Sequence, residues 1–365
     1  MKIRIFVLSL LTLLFVLNME VDAQSHKMKK GYLKKKNKFV SKYKGGSIHF
    51  TKNKRYLSFG VNVNALNYFG DLAPNPGIGS TDISFTRPGF GIMASYRYTP
   101  ALSIVAGLNW GRLRGDDFES ADPYDESGSY RYVRNLSFRN DIYEFMAGVQ
   151  YDFIPNHGTF LNRLKIVPYA FAGVSLIYHN PKAQVPDVNV FTGETMPNAG
   201  EWVALKPLGT EGQYSDAYDV KPYSLIQPAI PLGIGGRFAV NQRLDLSLEI
   251  GYRILFTDYI DDVGGLYVDL GALDSDLARV MSDRSREEVA VNSGIRRDEN
   301  AISEATLAPY DYVSKYNGET YRVYPGYGDE HPDNLRGDQS NDQLFVTTIR
   351  ISYILTGSFQ RAKFR

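Results

Sequence analysis

The sequence predicts an all-β protein, a transmembrane, antiparallel, up-and-down β-barrel of about eight strands with long extracellular loops. Three observations predict it. Long stretches alternate apolar and polar residues with period two. Their polar face is rich in Gly, Ser and Asn, with charges of both signs, and suits a narrow lumen better than a water-exposed surface. Connections between the stretches are alternately short and long, as short periplasmic turns and long outer loops require.

The N-terminus comes first. Lys2 and Arg4 precede an apolar run from Ile5 to Leu17, and Val21-Asp22-Ala23 offers small residues before Gln24. Such a run is too short for a span of about 20 residues and reads as a secretory signal peptide over residues 1–23. The chain has no cysteine, so an exported fold must be held without disulfides. A closed ladder of backbone hydrogen bonds in a bilayer is one way. Residues 24–54 form a Lys-rich, solvated tail. Within it Lys34, Lys35 and Lys36 are candidates to contact an acidic partner or anionic lipid heads.

Residues 55–356 hold the barrel pattern. In the first strand (about Tyr56 to Phe69) Leu57, Phe59, Val61, Val63 and Ala65 oppose Ser58, Gly60, Asn62 and Asn64. After Pro88, Phe90, Ile92, Ala94, Tyr96 and Tyr98 oppose Gly91, Met93, Ser95 and Arg97. A third strand follows Thr99-Pro100, with Leu102, Ile104, Ala106, Leu108 and Trp110 in phase. The fourth (about Leu136 to Phe153) sets Tyr143, Phe145, Ala147, Val149 and Tyr151 against Glu144, Gly148, Gln150 and Asp152. The fifth, about Lys165 to Tyr178, is apolar on both faces, and Pro168 predicts a late start. The sixth, about Leu225 to Val240, carries Pro228 and Pro231, which predict irregularity in its first half. The seventh opposes Leu244, Leu246, Leu248, Ile250 and Tyr252 to Asp245, Ser247, Glu249 and Arg253. The eighth, about Leu344 to Leu355, opposes Phe345, Ile349, Ile351 and Tyr353 to Thr348, Arg350 and Ser352. Strands of about 11 residues or more exceed the 5–6 usual in soluble proteins.

Long loops fall near residues 70–87, 115–134, 180–223 and 257–343, and residues 357–365 form a short tail. The alternation places both termini in the periplasm. The last loop, roughly 80 residues, is too long for structureless connection. It offers a helix within Asp274–Ala290, N-capped by Asp274 or Ser275, with Leu277, Val280 and Met281 on one stripe.

Chemistry is sparse. The net charge of +1 excludes a globally basic nucleic-acid binder, and 26 Tyr with 20 Phe suit membrane–water interfaces. Arg97, Glu144, Glu249, Arg253 and Arg350 point inward by parity and should pair with one another, since unpaired charge in a dry lumen is costly. His26, His49, His157, His179 and His331 show no ligand spacing, and neither a catalytic triad nor a cofactor motif is present. The acidic run Asp258, Asp261, Asp262 and Asp269 is of a kind that holds Ca²⁺ at a loop base, although loop carboxylates are more often solvated or capping.

Some segments are more specific than a generic barrel needs. They are Asn67-Tyr68-Phe69-Gly70-Asp71-Leu72, Gly115-Asp116-Asp117, Arg134-Asn135-Leu136, Pro207-Leu208-Gly209-Thr210-Glu211-Gly212-Gln213, and Thr257-Asp258-Tyr259-Ile260-Asp261-Asp262. Together they resemble the PorG-like outer-membrane barrels of the type IX secretion system, found in Bacteroidota. The resemblance spans about Arg55 to Leu355. It implies a small non-enzymatic barrel in the outer membrane, without cofactor, that joins the secretion and gliding machinery by contacting periplasmic ring proteins. The rival reading is a small-solute porin, which would need a wet lumen.

Overall fold

The computed structural model describes residues 50, 54–73, 86–125, 128–338 and 340–355. The signal-peptide reading, Lys34–Lys36, the 357–365 tail and most of the first long loop lie outside the described residues.

Eight long strands form a closed wall: β1 (Leu57–Phe69), β2 (Arg87–Arg97), β3 (Leu102–Asp116), β4 (Ser137–Asp152), β5 (Ile166–Tyr178), β8 (Ile226–Ala239), β9 (Leu244–Leu255) and β14 (Gln343–Leu355). Each pairs antiparallel with its neighbours in chain order, and β1 meets β14 to close the ring. Closure satisfies every ladder without leaving an edge, which a bilayer demands. Two short strands, β6 (Lys182–Gln184) and β7 (Trp202–Ala204), continue the wall beyond β4 at its long-loop end.

The wall is inverted relative to a soluble protein. In β1 the outward Val61 is 62% exposed and its inward neighbour Asn62 only 5%. Phe59, Val63, Phe90, Ile92, Leu108, Phe145, Leu248 and Ile351 are likewise exposed. From Leu57 to Ala65 the outward residues are apolar over about 27 Å of strand, or about 20 Å along the barrel axis at the usual tilt. Aromatic rings edge this belt. Trp110 stacks on Phe90 (6.2 Å between ring centres) and Tyr143 meets Tyr178 (6.2 Å) at the long-loop edge. Tyr96, Tyr98 and Phe153 line the other edge. This is the surface hydrocarbon and headgroups require.

Two prolines act differently from the sequence expectation. Pro168 does not delay β5, which starts at Ile166; residue 168 pairs with Gly236, and its carbonyl accepts from Phe153 N at 3.0 Å. The expected irregularity in β8 is local. The β5–β8 register runs Ala172↔Leu232 and then Ser175↔Ala229, so pairing lapses opposite Ile230 and Pro231, where a donor is missing.

The long loops carry more structure than periodicity revealed. The second holds α1 (Asp117–Ser120) and α2 (Gly128–Arg134). The last holds α3 (Asp276–Ser282), the strand pair β10 (Val289–Ala290) and β11 (Ile295–Arg296), α4 (Glu299–Ala305), and a hairpin of β12 (Tyr310–Val313) with β13 (Thr320–Val323). Helix α3 lies inside the span read from the sequence, and its N-cap is Ser275, whose hydroxyl accepts from Ala278 N at 3.1 Å. Val280 and Met281 are buried against Ala183, Val185, Met196 and Leu205 of the third long loop. The described parts of the long loops thus fold into one cap over the mouth.

A cation at the middle of the outward belt tests the membrane assignment. Val61→Arg should cost about 2–4 kcal/mol in urea unfolding from lipid vesicles, while Val61→Leu stays near neutral. Equal stability of both variants would contradict an outward face set in hydrocarbon.

Candidate functional site

Two connected regions hold the polar chemistry: the lumen and the cap above it. The lumen is built in tiers, because every second residue of eight strands points inward. At the short-turn end Arg97 Nη1 donates to Asp152 Oδ2 at 2.9 Å, and Arg237 pairs with the same carboxylate. In the middle Arg350 pairs with Glu249, which also accepts from the Tyr169 hydroxyl. The next tier crosses the bore. Arg253 Nε lies 3.3 Å from Glu144 Oε1, Asn109 Nδ2 donates to Glu144 Oε2 (3.0 Å), and Asn62 Nδ2 donates to Asn109 Oδ1 (2.9 Å). Thr348 Oγ1 closes the row by donating to Asn64 Oδ1 at 2.8 Å. Glycine makes the room: a Cβ on Gly91 would collide with the Asn109 side-chain oxygen. Two cavities in this bore measure about 10 Å³ and about 20 Å³, each room for about one water. All five charges singled out by parity are therefore internally compensated, with Asp152 and Arg237 joining them.

Nearer the long loops the inward face turns apolar. Leu66, Leu113, Ile142, Ile177, Leu344 and Val346 form a buried plug with Phe138, Ile260 and Val263. The alternation marks these positions as inward without revealing the change of polarity.

The cap sits on this plug, and the segments behind the family resemblance converge there. The Tyr68 hydroxyl bridges two buried carboxylates, 2.7 Å from Asp261 Oδ2 and 2.8 Å from Asp342 Oδ1. Gly70 has no side chain because a Cβ would strike that hydroxyl. Asp71 Oδ1 accepts from Asp338 N at 2.8 Å. Arg134 binds both oxygens of the fully buried Asp117 (2.8 and 2.9 Å) and the carbonyls of Asp71 and Arg336 (2.8 and 2.6 Å). Following Pro207, Leu208 and the left-handed Gly209 (φ 60°), Thr210 Oγ1 donates to Asp262 Oδ2 at 2.6 Å. Asp262 is itself left-handed (φ 72°), a costly conformation outside glycine, and accepts a second bond from the Tyr223 hydroxyl at 2.6 Å. Glu211 Oε1 accepts from Gly264 N (3.1 Å) and from Arg336 Nη1 (3.0 Å). Arg336 also donates to the carbonyls of Asp262 (2.6 Å) and Ser282 (3.2 Å). Tyr259, next to Thr257 and Asp258, stacks on Tyr223 with ring centres 4.9 Å apart.

The acidic run divides. Asp261 and Asp262 turn into the cap core, whereas Asp258 meets Asp71 and Asp338, whose carboxylate oxygens all lie within 4.8 Å of one another. Those three are the described residues placed to hold a metal ion. Sequence reading missed Asp338 and Asp342, and missed Arg336 entirely. Their contacts with Asp71, Tyr68 and Glu211 span long stretches of the chain, and nothing periodic marks them.

Burial raises the carboxyls of this cluster. It lifts Asp71 to about 7 against the opposing charge of Arg134. It lifts Asp258 to about 9, reinforced by the charges of Asp71 and Asp261. Asp262 rises to about 6 by burial, with Arg336 opposing. Asp261 and Asp342 are raised by burial and by repulsion from neighbouring carboxylates. Burial lowers His179 to about 4, so it is neutral beside the Ser224 carbonyl, 3.0 Å from its Nε2.

Residues 48–194 match the family model described as Domain of unknown function (DUF6089). No curated protein matches the chain. Among solved structures it is similar to Neisserial surface protein A (9% identity, 81% of this chain and 96% of that one, TM-score 0.32). It is similar also to a major outer membrane protein from Thermus thermophilus (12% identity, 82% and 99%, TM-score 0.37). A third is OprG from Pseudomonas aeruginosa (10% identity, 84% and 98%, TM-score 0.34). At these scores the likenesses carry no argument, and the barrel assignment rests on the closed ladder itself.

The raised carboxyls make the cap pH-dependent. Each holds its proton more tightly folded than unfolded, where the ordinary value is 3.8. Their stabilisation is complete below about pH 4 and is lost as pH rises through about 7 and about 9. Cap amides should exchange hydrogen faster at pH 9.5 than at about pH 5 after correction for intrinsic rates, and Asp258→Asn should flatten the upper part of that trend. A cap equally protected at both values would contradict this electrostatic picture.

Proposed function

We propose that the chain is a non-enzymatic outer-membrane barrel serving as a structural or interaction component of the type IX secretion and gliding machinery. The observation that carries the reading is the packed lumen beneath an ordered cap. Ion-paired tiers and an apolar plug fill the bore among the described residues, which favours a scaffold over the small-solute porin reading. The cap's arginines and carboxylates are engaged with one another, an arrangement that suits holding loops rather than turning over a substrate.

Two features support the secretion role. The segments resembling PorG-like barrels meet at the mouth. In this reading the short turns and both termini face the periplasm. The Lys-rich segment around Lys34, Lys35 and Lys36 then lies where an acidic ring protein could take it, through contacts weakened by salt.

Detergent extraction followed by affinity purification tests the proposal. Periplasmic ring proteins should co-purify with the wild-type chain, and Lys34→Glu, Lys35→Glu and Lys36→Glu together should reduce their yield several-fold while the barrel still inserts. Purification of the barrel alone under gentle extraction would overturn the machinery role.

A further inference from the structure

The outward face of the wall is not uniform around the ring. On β8 and β9 it stays apolar to the long-loop edge, with Ile226 and Phe256 outward there. On β3 and β4 the strands continue past the aromatic edge and change character. Above the Trp110↔Tyr143 pair come Arg112↔Asp141, and then Arg139, which pairs across to Lys182 of β6. Arg112 is neutralised by a two-pronged bond to Asp141 (2.7 and 3.0 Å), and Arg114 by Asp116 and Glu119. Arg139 and Lys182 make no ion pair among the described residues. The Arg139 guanidinium lies over the Trp202 ring, 4.1 Å from its centre. Register puts Lys182, Gln184, Trp202 and Ala204 on the same face as Arg139.

Depth identifies what this face meets. Arg139 lies four residues above Tyr143 in the β4 ladder, about 13 Å along the strand and about 10 Å along the barrel axis. That is just beyond the headgroup layer, about 5–8 Å deep on each side of the hydrocarbon, and side chains as long as arginine and lysine reach back into it. Two cations without an ion-pair partner among the described residues, with an indole beside them, match an anionic headgroup: the ring suits the interface, and the cations suit a phosphate oxygen.

We propose that Arg139, Lys182 and Trp202 form a docking surface for the phosphate of an anionic membrane lipid in the leaflet on the long-loop side. The proposal rests on the membrane-spanning reading. Arg112–Asp141 acts as a neutral spacer between it and the belt, and the cation–ring contact with Trp202 positions the guanidinium. The lipid is selected by charge, so the preference should weaken with salt.

Tryptophan fluorescence tests it, because the chain has only 2 Trp. A Trp110→Phe variant leaves Trp202 as the reporter in the full-length protein. Vesicles of phosphatidylcholine would contain an equal minor fraction of brominated phosphatidylglycerol or brominated phosphatidylcholine. The anionic quencher should be several-fold more effective, Lys182→Gln should reduce that preference about fivefold, and Arg139→Lys should retain most of it. Equal quenching by the two lipids in protein that migrates as an inserted, heat-modifiable barrel overturns the proposal. Loss of the preference on adding millimolar inorganic phosphate, with no loss in chloride of equal ionic strength, would show a free-phosphate site and also overturn it. Failure to insert would remove the barrel reading and the proposal with it.

Discussion

An eight-stranded barrel has a bore no wider than the side chains that point into it, and the rest of this molecule depends on how that bore is filled. Closing the ladder in a bilayer obliges the outward face to be apolar, so the polar half of each strand must face inward. Those polar groups then have only one another as partners. Tiers of Arg97–Asp152–Arg237, Arg350–Glu249–Tyr169 and Arg253–Glu144–Asn109–Asn62 meet that demand. Removing one member would strand its partner without a counter-charge, a larger penalty than the pair's own net worth.

The cap follows from the same constraint. Above the ion-paired tiers the lumen ends in an apolar plug, and an apolar plug exposed to water would be a liability. The loops cover it, and because they lack a periodic ladder they are held by buried side chains instead. Arg134 and Arg336 act as the cross-braces. Between them they bind the loop after β1, the β3–β4 loop, the β5–β8 loop and the β9–β14 loop. Burial raises the carboxyls around Tyr68, Asp71 to about 7 and Asp258 to about 9, with repulsion between neighbouring carboxylates adding to it.

Much of the wall was legible in the sequence because period-two alternation is a local signal. Val61 and Asn62 differ in direction simply by being adjacent. The register of β5 and β8 was less legible, since Pro168 and Pro231 interrupt donors without ending the strands. The cap was the least legible part. Tyr68 and Asp342 are 274 positions apart, and Glu211 and Arg336 are 125 apart. No spacing rule links such residues. Resemblance to known barrels marked Tyr68, Asp71, Thr210, Glu211 and Asp262 as special, but only the fold shows that they meet. Adjacency also misleads: Asp258, Asp261 and Asp262 read as one acidic run, while Asp258 joins Asp71 and Asp338, Asp261 binds Tyr68, and Asp262 binds Thr210 and Tyr223.

The most direct test of a filled lumen is electrical. Purified protein inserted into a planar bilayer, with insertion verified by heat-modifiable migration, should give no stable conductance steps in 1 M KCl at moderate voltage. Reproducible steps of porin size from the wild-type chain would contradict a bore closed by ion pairs and an apolar plug.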